Sequence, residues 1–142
     1  MPSLNPYLNF NSNCEEAFNF YRSVFGGDFA MMMRFGEAPA GAGGDASEAN
    51  KVMHVSLPVG TSMLMGSDCP DSYGMKITAG NNYNISINAD SRAHADQLFN
   101  GLSNGGEALF PMQDQFWGDY FGMLKDKFGV QWMISYSERQ GA

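Results

Sequence analysis

The chain repeats itself. Phe99 lies 79 positions beyond Phe20. The same shift carries Leu8 to Ile87, Asn9 to Asn88, Ser12 to Ser91, Gly26 to Gly105 and Gly27 to Gly106, with no gap. These six matches on one diagonal, both glycine pairs among them, make an internal repeat the governing constraint on the fold.

Each half reads alike. Residues 4–10 alternate, with Leu4, Pro6, Leu8 and Phe10 against Asn5, Tyr7 and Asn9, the period of a half-buried strand. Asn11-Ser12-Asn13 supplies helix-start residues, and Glu15 and Glu16 stand where a capping box needs them. Ala17, Phe18, Phe20, Tyr21, Val24 and Phe25 recur at helical spacing before Gly26-Gly27 stops the helix. Residues 29–35 predict a second strand, and residues 52–57 and 62–67 a hairpin around Val59-Gly60. Between them, residues 37–50 are rich in Gly and Ala, as in a mobile loop. After a loop at 68–81 the order restarts. A strand at 83–89 leads to the cap Asp90-Ser91 and a helix carrying Ala93, Ala95, Leu98, Phe99 and Leu102. Gly105-Gly106 stops that helix, and strands follow within 109–112, 118–124 and 130–136.

The fold class this implies is α+β. Two βαβββ modules, at about 1–68 and 82–137 of a single domain 1–142, form a curved mixed sheet of about eight strands around a cleft, with the helices outside. A chain of 142 residues is long enough for one sizeable core.

Charge and composition narrow the partners. The net charge is −7, and only eight Lys and Arg are present, scattered along the chain. Polyanions are held by clustered basic side chains, so neither nucleic acid nor an anionic membrane surface is an expected partner. No apolar run approaches the roughly 20 residues of a membrane helix. Residues 1–5 lack a basic region followed by an apolar stretch, so no signal peptide is expected, and the cytoplasm is the default location. Cys14 and Cys69 read as two reduced thiols, with no CxxC pair for zinc.

Several segments carry a resemblance. Pro6-Tyr7-Leu8-Asn9-Phe10, Cys14-Glu15-Glu16-Ala17-Phe18, Lys51-Val52-Met53-His54 and Met63-Leu64-Met65-Gly66-Ser67-Asp68 are similar to PhnB-like proteins. The most specific stretch is Gln113-Asp114-Gln115-Phe116-Trp117-Gly118-Asp119-Tyr120-Phe121-Gly122, followed by Asp126-Lys127-Phe128-Gly129-Val130-Gln131-Trp132. The resemblance runs through essentially the whole chain. It implies the vicinal-oxygen-chelate superfamily of glyoxalases, fosfomycin- and bleomycin-resistance proteins and extradiol dioxygenases. PhnB-like proteins are sometimes labelled demethylubiquinone methyltransferases, but no Gly-rich strand-to-helix turn here would hold a nucleotide-like methyl donor.

Alternation assigns the cleft-facing side chains. They are Tyr7 and Asn9; His54 and Ser56; Met63 and Met65; Asn84, Ser86 and Asn88; and Gln131, Met133 and Ser135. In metal-using relatives, the resemblance implies His, Gln or Glu at the start of each module's first strand and in its last strand. The matching positions here are Pro6 or Tyr7, Met63 or Met65, Asn84 and Met133, which lack the donors a hard divalent cation needs. The expected metal set is therefore none. His54 is the inward titratable base singled out: a general base or sole metal ligand on one reading, a hydrogen-bonded histidine in a packed barrel on the other. His94 reads as a solvated helix residue, and Cys14 as structural. Asp68 reads as a loop carboxylate or as a partner for His54. Asp114, Asp119 and Asp126 read as turn residues, and Trp117 as a pocket wall.

Two functions follow. The first is binding of a small molecule without the usual metal quartet, through Tyr7, Asn9, His54, Ser56, Met65, Asn84, Ser86, Trp117, Gln131 and Met133. The second is a divalent-metal-dependent lyase, isomerase or transferase, with His54 joined by Asp68 or Gln131. A homodimer is expected from the resemblance.

Overall fold

Alternation and helical spacing in the sequence become eight strands and two α-helices in the computed structural model, which describes residues 2–38 and 46–138. The order is β1 (Tyr7–Phe10), α1 (Cys14–Phe25), β2 (Met31–Arg34), β3 (Val52–Val59), β4 (Ser62–Asp68), β5 (Ile85–Asn88), α2 (Arg92–Ser103), β6 (Glu107–Asp114), β7 (Asp119–Lys125) and β8 (Gln131–Ser137). The expected α+β class and its two βαβββ modules are present. Residues 39–45 of the expected mobile loop lie outside the described residues. No described helix is long and apolar enough to cross a membrane.

The chain divides into two units, Met1–Thr78 and Ala79–Ala142. The first contains a four-stranded sheet in the order β1-β4-β3-β2, the second a four-stranded sheet in the order β5-β8-β7-β6. In both, the first and last strands of the unit pair in parallel and the remaining pairs are antiparallel. The repeat seen in the sequence is thus a repeat of topology.

In the first unit, α1 covers one sheet face. Cys14, Ala17, Phe18 and Tyr21 are its buried residues, spaced to fall on one stripe. They pack with Phe10, Val52, Val55, Leu57 and Leu64 in the core. Each large apolar side chain so buried contributes on the order of 2 kcal/mol. Glu15 and Glu16 in the first turn and Arg22 in the last match the helix dipole. Gly26, at φ 81°, ends the helix. In the second unit, α2 presents Ala95, Leu98, Phe99 and Leu102 to Leu124, Trp132 and Ile134.

Element bounds differ from the sequence reading where pairing decides them. The alternation at residues 4–10 overstates β1, because only Tyr7–Phe10 finds a partner strand, and Leu4 is 98% exposed. The hairpin turn falls at Gly60-Thr61, one residue later than expected, since Val59 still pairs with Ser62. On β3, a register shift opposite Met33 and Arg34 places Val52 in the core and leaves Met53 half-buried.

Candidate functional site

In the first unit, helix α1 leaves the second sheet face without a helix. Strand register places its side chains in rows. Tyr7 pairs with Met65, Met65 with Ser56, and Ser56 with Met31. In the next row Asn9 pairs with Ser67, and His54 with Met33. Met63 pairs with Pro58 on the other side. This face therefore holds a tyrosine, a histidine and short polar side chains among four thioethers. From the sequence the eleven methionines read mostly as core or pocket lining, with Met31-Met32-Met33 too short and apolar for a metal-binding tract; register places Met31 and Met33 on this face.

The only close polar contact among the described residues of this face joins Tyr7 to His54. The Tyr7 hydroxyl lies 3.3 Å from His54 Nδ1, and the ring centroids are 5.7 Å apart at a 36° tilt. The contact passes over β4, because β1 and β3 are both its neighbours. His54 is half-buried, Tyr7 exposed and Ser56 buried. Nε2 of His54 makes no hydrogen bond among the described residues.

Asp68 is not on this face. It is buried, and both carboxylate oxygens are spent on backbone amides: Cys14 N–H donates to Oδ1 at 2.9 Å and Val52 N–H to Oδ2 at 2.9 Å. Asp68 thus satisfies the first amide of α1 and the first of β3. The capping expected from Ser12 or Asn13 is replaced by this long-range one, since the Asn13 side chain makes no cap hydrogen bond. The arrangement also governs Cys14, which is fully buried. Burial, then the neighbouring Asp68 and Glu15 carboxylates, push its thiol well above the ordinary range, as suits a structural residue.

In the second unit, Ser86 pairs with Met133 as Tyr7 pairs with Met65, so Ser86 rather than Asn84 is the repeat equivalent of Tyr7. Ser86 is exposed and Met133 half-buried. Asn84 precedes β5, and its Oδ1 accepts from Gln131 Nε2 at 3.4 Å. Gln131 is buried and donates also to Tyr83 O at 3.2 Å. Trp117 lies in the turn between β6 and β7, 49% exposed, with its indole N–H donated to Asp119 at 3.1 Å. Phe116 and Phe121 contact its ring edge to face. Asp126 is buried and accepts from Phe128 N, Val130 N and Trp132 Nε1. It is a turn residue that also anchors the largest core side chain. His94 serves the start of α2: its amide donates to the Ser91 side chain, and its Nδ1 accepts from Asp90 N.

A hard divalent metal ion does not fit the donors at these strand positions. Tyr7, Met65, Ser86 and Met133 occupy the paired positions, and a phenol, two thioethers and a hydroxyl are poor replacements for imidazole and carboxylate. Among the described residues, no group of three or more His, Cys, Asp or Glu is placed to hold a metal ion.

A family model described as 3-demethylubiquinone-9 3-methyltransferase matches residues 2–135. The chain belongs to this family. Solved structures share its fold. Protein PA1353 from Pseudomonas aeruginosa is 39% identical, with 96% of this chain and 98% of that one covered and a TM-score of 0.84. A PhnB protein from Bacillus cereus, described as a putative 3-demethylubiquinone-9 3-methyltransferase, is 24% identical over 96% of this chain and all of that one, at TM-score 0.72. A glyoxalase/bleomycin resistance protein/dioxygenase family enzyme from Burkholderia phytofirmans shares the fold at 16% identity, covering 92% and 95% of the two chains, at TM-score 0.60. These neighbours share the fold of this chain, whose β1 and β4 bring Tyr7 and Met65 into register.

Proposed function

We propose that this PhnB-like protein binds a small organic molecule on the open face of the first sheet, without the divalent-metal quartet of its superfamily. The observation that carries this reading is the Tyr7–His54 pair, set among thioethers on a sheet face that no helix of its unit covers. Such a surface suits a ligand with an apolar body and one hydrogen-bonding group. Methionines adapt to its shape, and the two rings and the free imidazole nitrogen fix its orientation. Asn9 and Ser56 supply further polar atoms on that face; in the second unit, Asn84, Ser86, Trp117, Gln131 and Met133 are proposed to contribute to ligand binding. Methyl transfer is the weaker reading, because neither strand-to-helix turn, Asn11-Ser12-Asn13 or Ala89-Asp90-Ser91, contains a glycine that would let a nucleotide-like donor approach the backbone. The protein is proposed to act as a homodimer, to be checked by sizing with light scattering at micromolar concentration.

The test is extraction of freshly purified protein followed by mass spectrometry, and a thermal-shift screen against a broad metabolite panel. A stoichiometric compound is expected from the wild type and not from a Tyr7→Phe/His54→Ala variant of equal melting temperature. Failure to extract a compound or to find a stabilising one, or equal binding by the variant, would remove the proposal.

A further inference from the structure

The same face carries a second chemistry, which does not depend on the organic ligand. Hard donors are missing where the superfamily needs them, but soft donors surround His54. Met33 is its direct cross-strand partner. Met31 and Met65 both pair with Ser56, two residues along β3 on the same face as His54. Each therefore stands diagonal to His54, about 7–8 Å away at the backbone, within reach of long side chains. Ser56 between them is small and leaves the space above β3 to the thioethers. Met33 and Met65 are half-buried, and Met31 is 47% exposed, so an ion has a route in. Tyr7 completes the arrangement. The Tyr7 hydroxyl lies against Nδ1, and in the tautomer that donates Nδ1–H to that hydroxyl the lone pair of Nε2 is left for an ion.

We infer that Met31, Met33, Met65 and His54 form a site for a soft monovalent metal ion, Cu(I) or its stand-in Ag(I), with Tyr7 as the positioning residue for the imidazole. Thioether and imidazole donors select Cu(I) and discriminate against Mg, Ca and Mn, which take oxygen. The substitution of methionine for the hard donors of the superfamily therefore changes the ion the face prefers. The competing donors are the thiols of Cys14 and Cys69, both buried, with Cys14 spent in the α1 start.

The test uses the full chain, freed of any extractable compound and labelled at the methionine methyl carbons, titrated with silver nitrate in chloride-free buffer. One equivalent is expected to shift the methyl signals of Met31, Met33 and Met65 together, while Mn(II) shifts none of them. In anaerobic competition against a Cu(I) chelator, Met33→Leu, Met65→Leu and His54→Ala are each expected to weaken binding by at least about tenfold, and Tyr7→Phe by about tenfold. Leucine is close in volume to methionine, so the thioether variants should remain folded. The methyl-signal test needs no variant at all. No shift, shifts confined to other methionines, binding lost in Cys69→Ala, or undiminished binding by the leucine variants would each overturn the site. Because no organic ligand is present, loss of the metal site and loss of the proposed ligand-binding role are separate outcomes.

Discussion

Asp68 is a buried carboxylate that ties two elements of the first unit together. It accepts from two buried amides that belong to different elements, α1 and β3. Asp68→Ala leaves both unsatisfied, at roughly 1–3 kcal/mol each, so a loss of about 3 kcal/mol is expected in urea unfolding. Asp68→Asn restores one acceptor and should recover part of it. Equal stability of wild type and Asp68→Ala would show that water reaches these amides. Cys14 gives a second residue-scale prediction, with a defined sign. The fold raises its thiol above the ordinary value of 9.0, through burial first and then through Asp68 and Glu15. A raised value means the folded chain holds the proton longer than the unfolded one. The contribution to stability is complete below pH 9.0 and is lost as pH rises above it. Stability measured between pH 7 and 10.5 should fall more steeply for the wild type than for Cys14→Ala, and native Cys14 should resist alkylation at neutral pH.

At the scale of elements, each helix docks through an aromatic ring over a strand pair that contains a glycine. In the first unit the pair is Val55 with Gly66, and a β-carbon on Gly66 would stand 2.6 Å from Phe18 Cε1 and 2.9 Å from Leu8 O. In the second it is Gly122 with Ile134, where the β-carbon would meet Met112 Sδ at 2.7 Å and Phe99 Cε2 at 3.0 Å. The two pairs occupy equivalent places in the repeat, although the glycine sits on opposite members. Gly66→Ala should therefore cost about 2 kcal/mol by overpacking, since the buried Phe18 ring has little room to retreat. Phe18→Leu in the same chain should return part of that cost. Thermal or denaturant melts of the two single variants and the double variant would measure this as a favourable coupling. Simple additivity would mean that the backbone at Leu8, and not the ring, sets the limit.

At the scale of the whole molecule, the topology was legible because the strand-helix-strand order recurs; the shift of 79 positions holds for β1 and β5, where Tyr7 corresponds to Ser86, but not for the helix faces, where Ala17, Phe18 and Tyr21 take the places of Leu98, Phe99 and Leu102. The faces of Tyr7 and His54 followed from alternation, but their hydrogen bond did not, because it joins residues 47 apart in the chain across an intervening strand. Asp68 was misplaced for the same reason: its partners lie 54 and 16 residues away, and nothing local marks the carboxylate as buried. The boundary between the modules was also a matter of long-range contact. The sequence reading ends the first module near residue 68, whereas the unit extends to Thr78. Asn11 accounts for part of that extension, since its side chain donates to Ile77 O at 2.8 Å and accepts from Ile77 N at 2.9 Å. This clasp ties the stretch after β4 to the loop that follows β1. Lys76 is exposed beside it, so tryptic cleavage after Lys76 reports how often the clasp opens. Two exposed hydrogen bonds contribute about 1 kcal/mol together, and their loss should raise the open population roughly fivefold. When opening and closing are fast, the cleavage rate follows that population. Asn11→Ala is therefore expected to be cut after Lys76 roughly fivefold faster than the wild type, with cleavage after Lys125, inside β7, unchanged. An unchanged rate at Lys76 would mean that other contacts hold the segment, and an equal rise at Lys125 would mean that Asn11 supports the fold as a whole rather than this boundary.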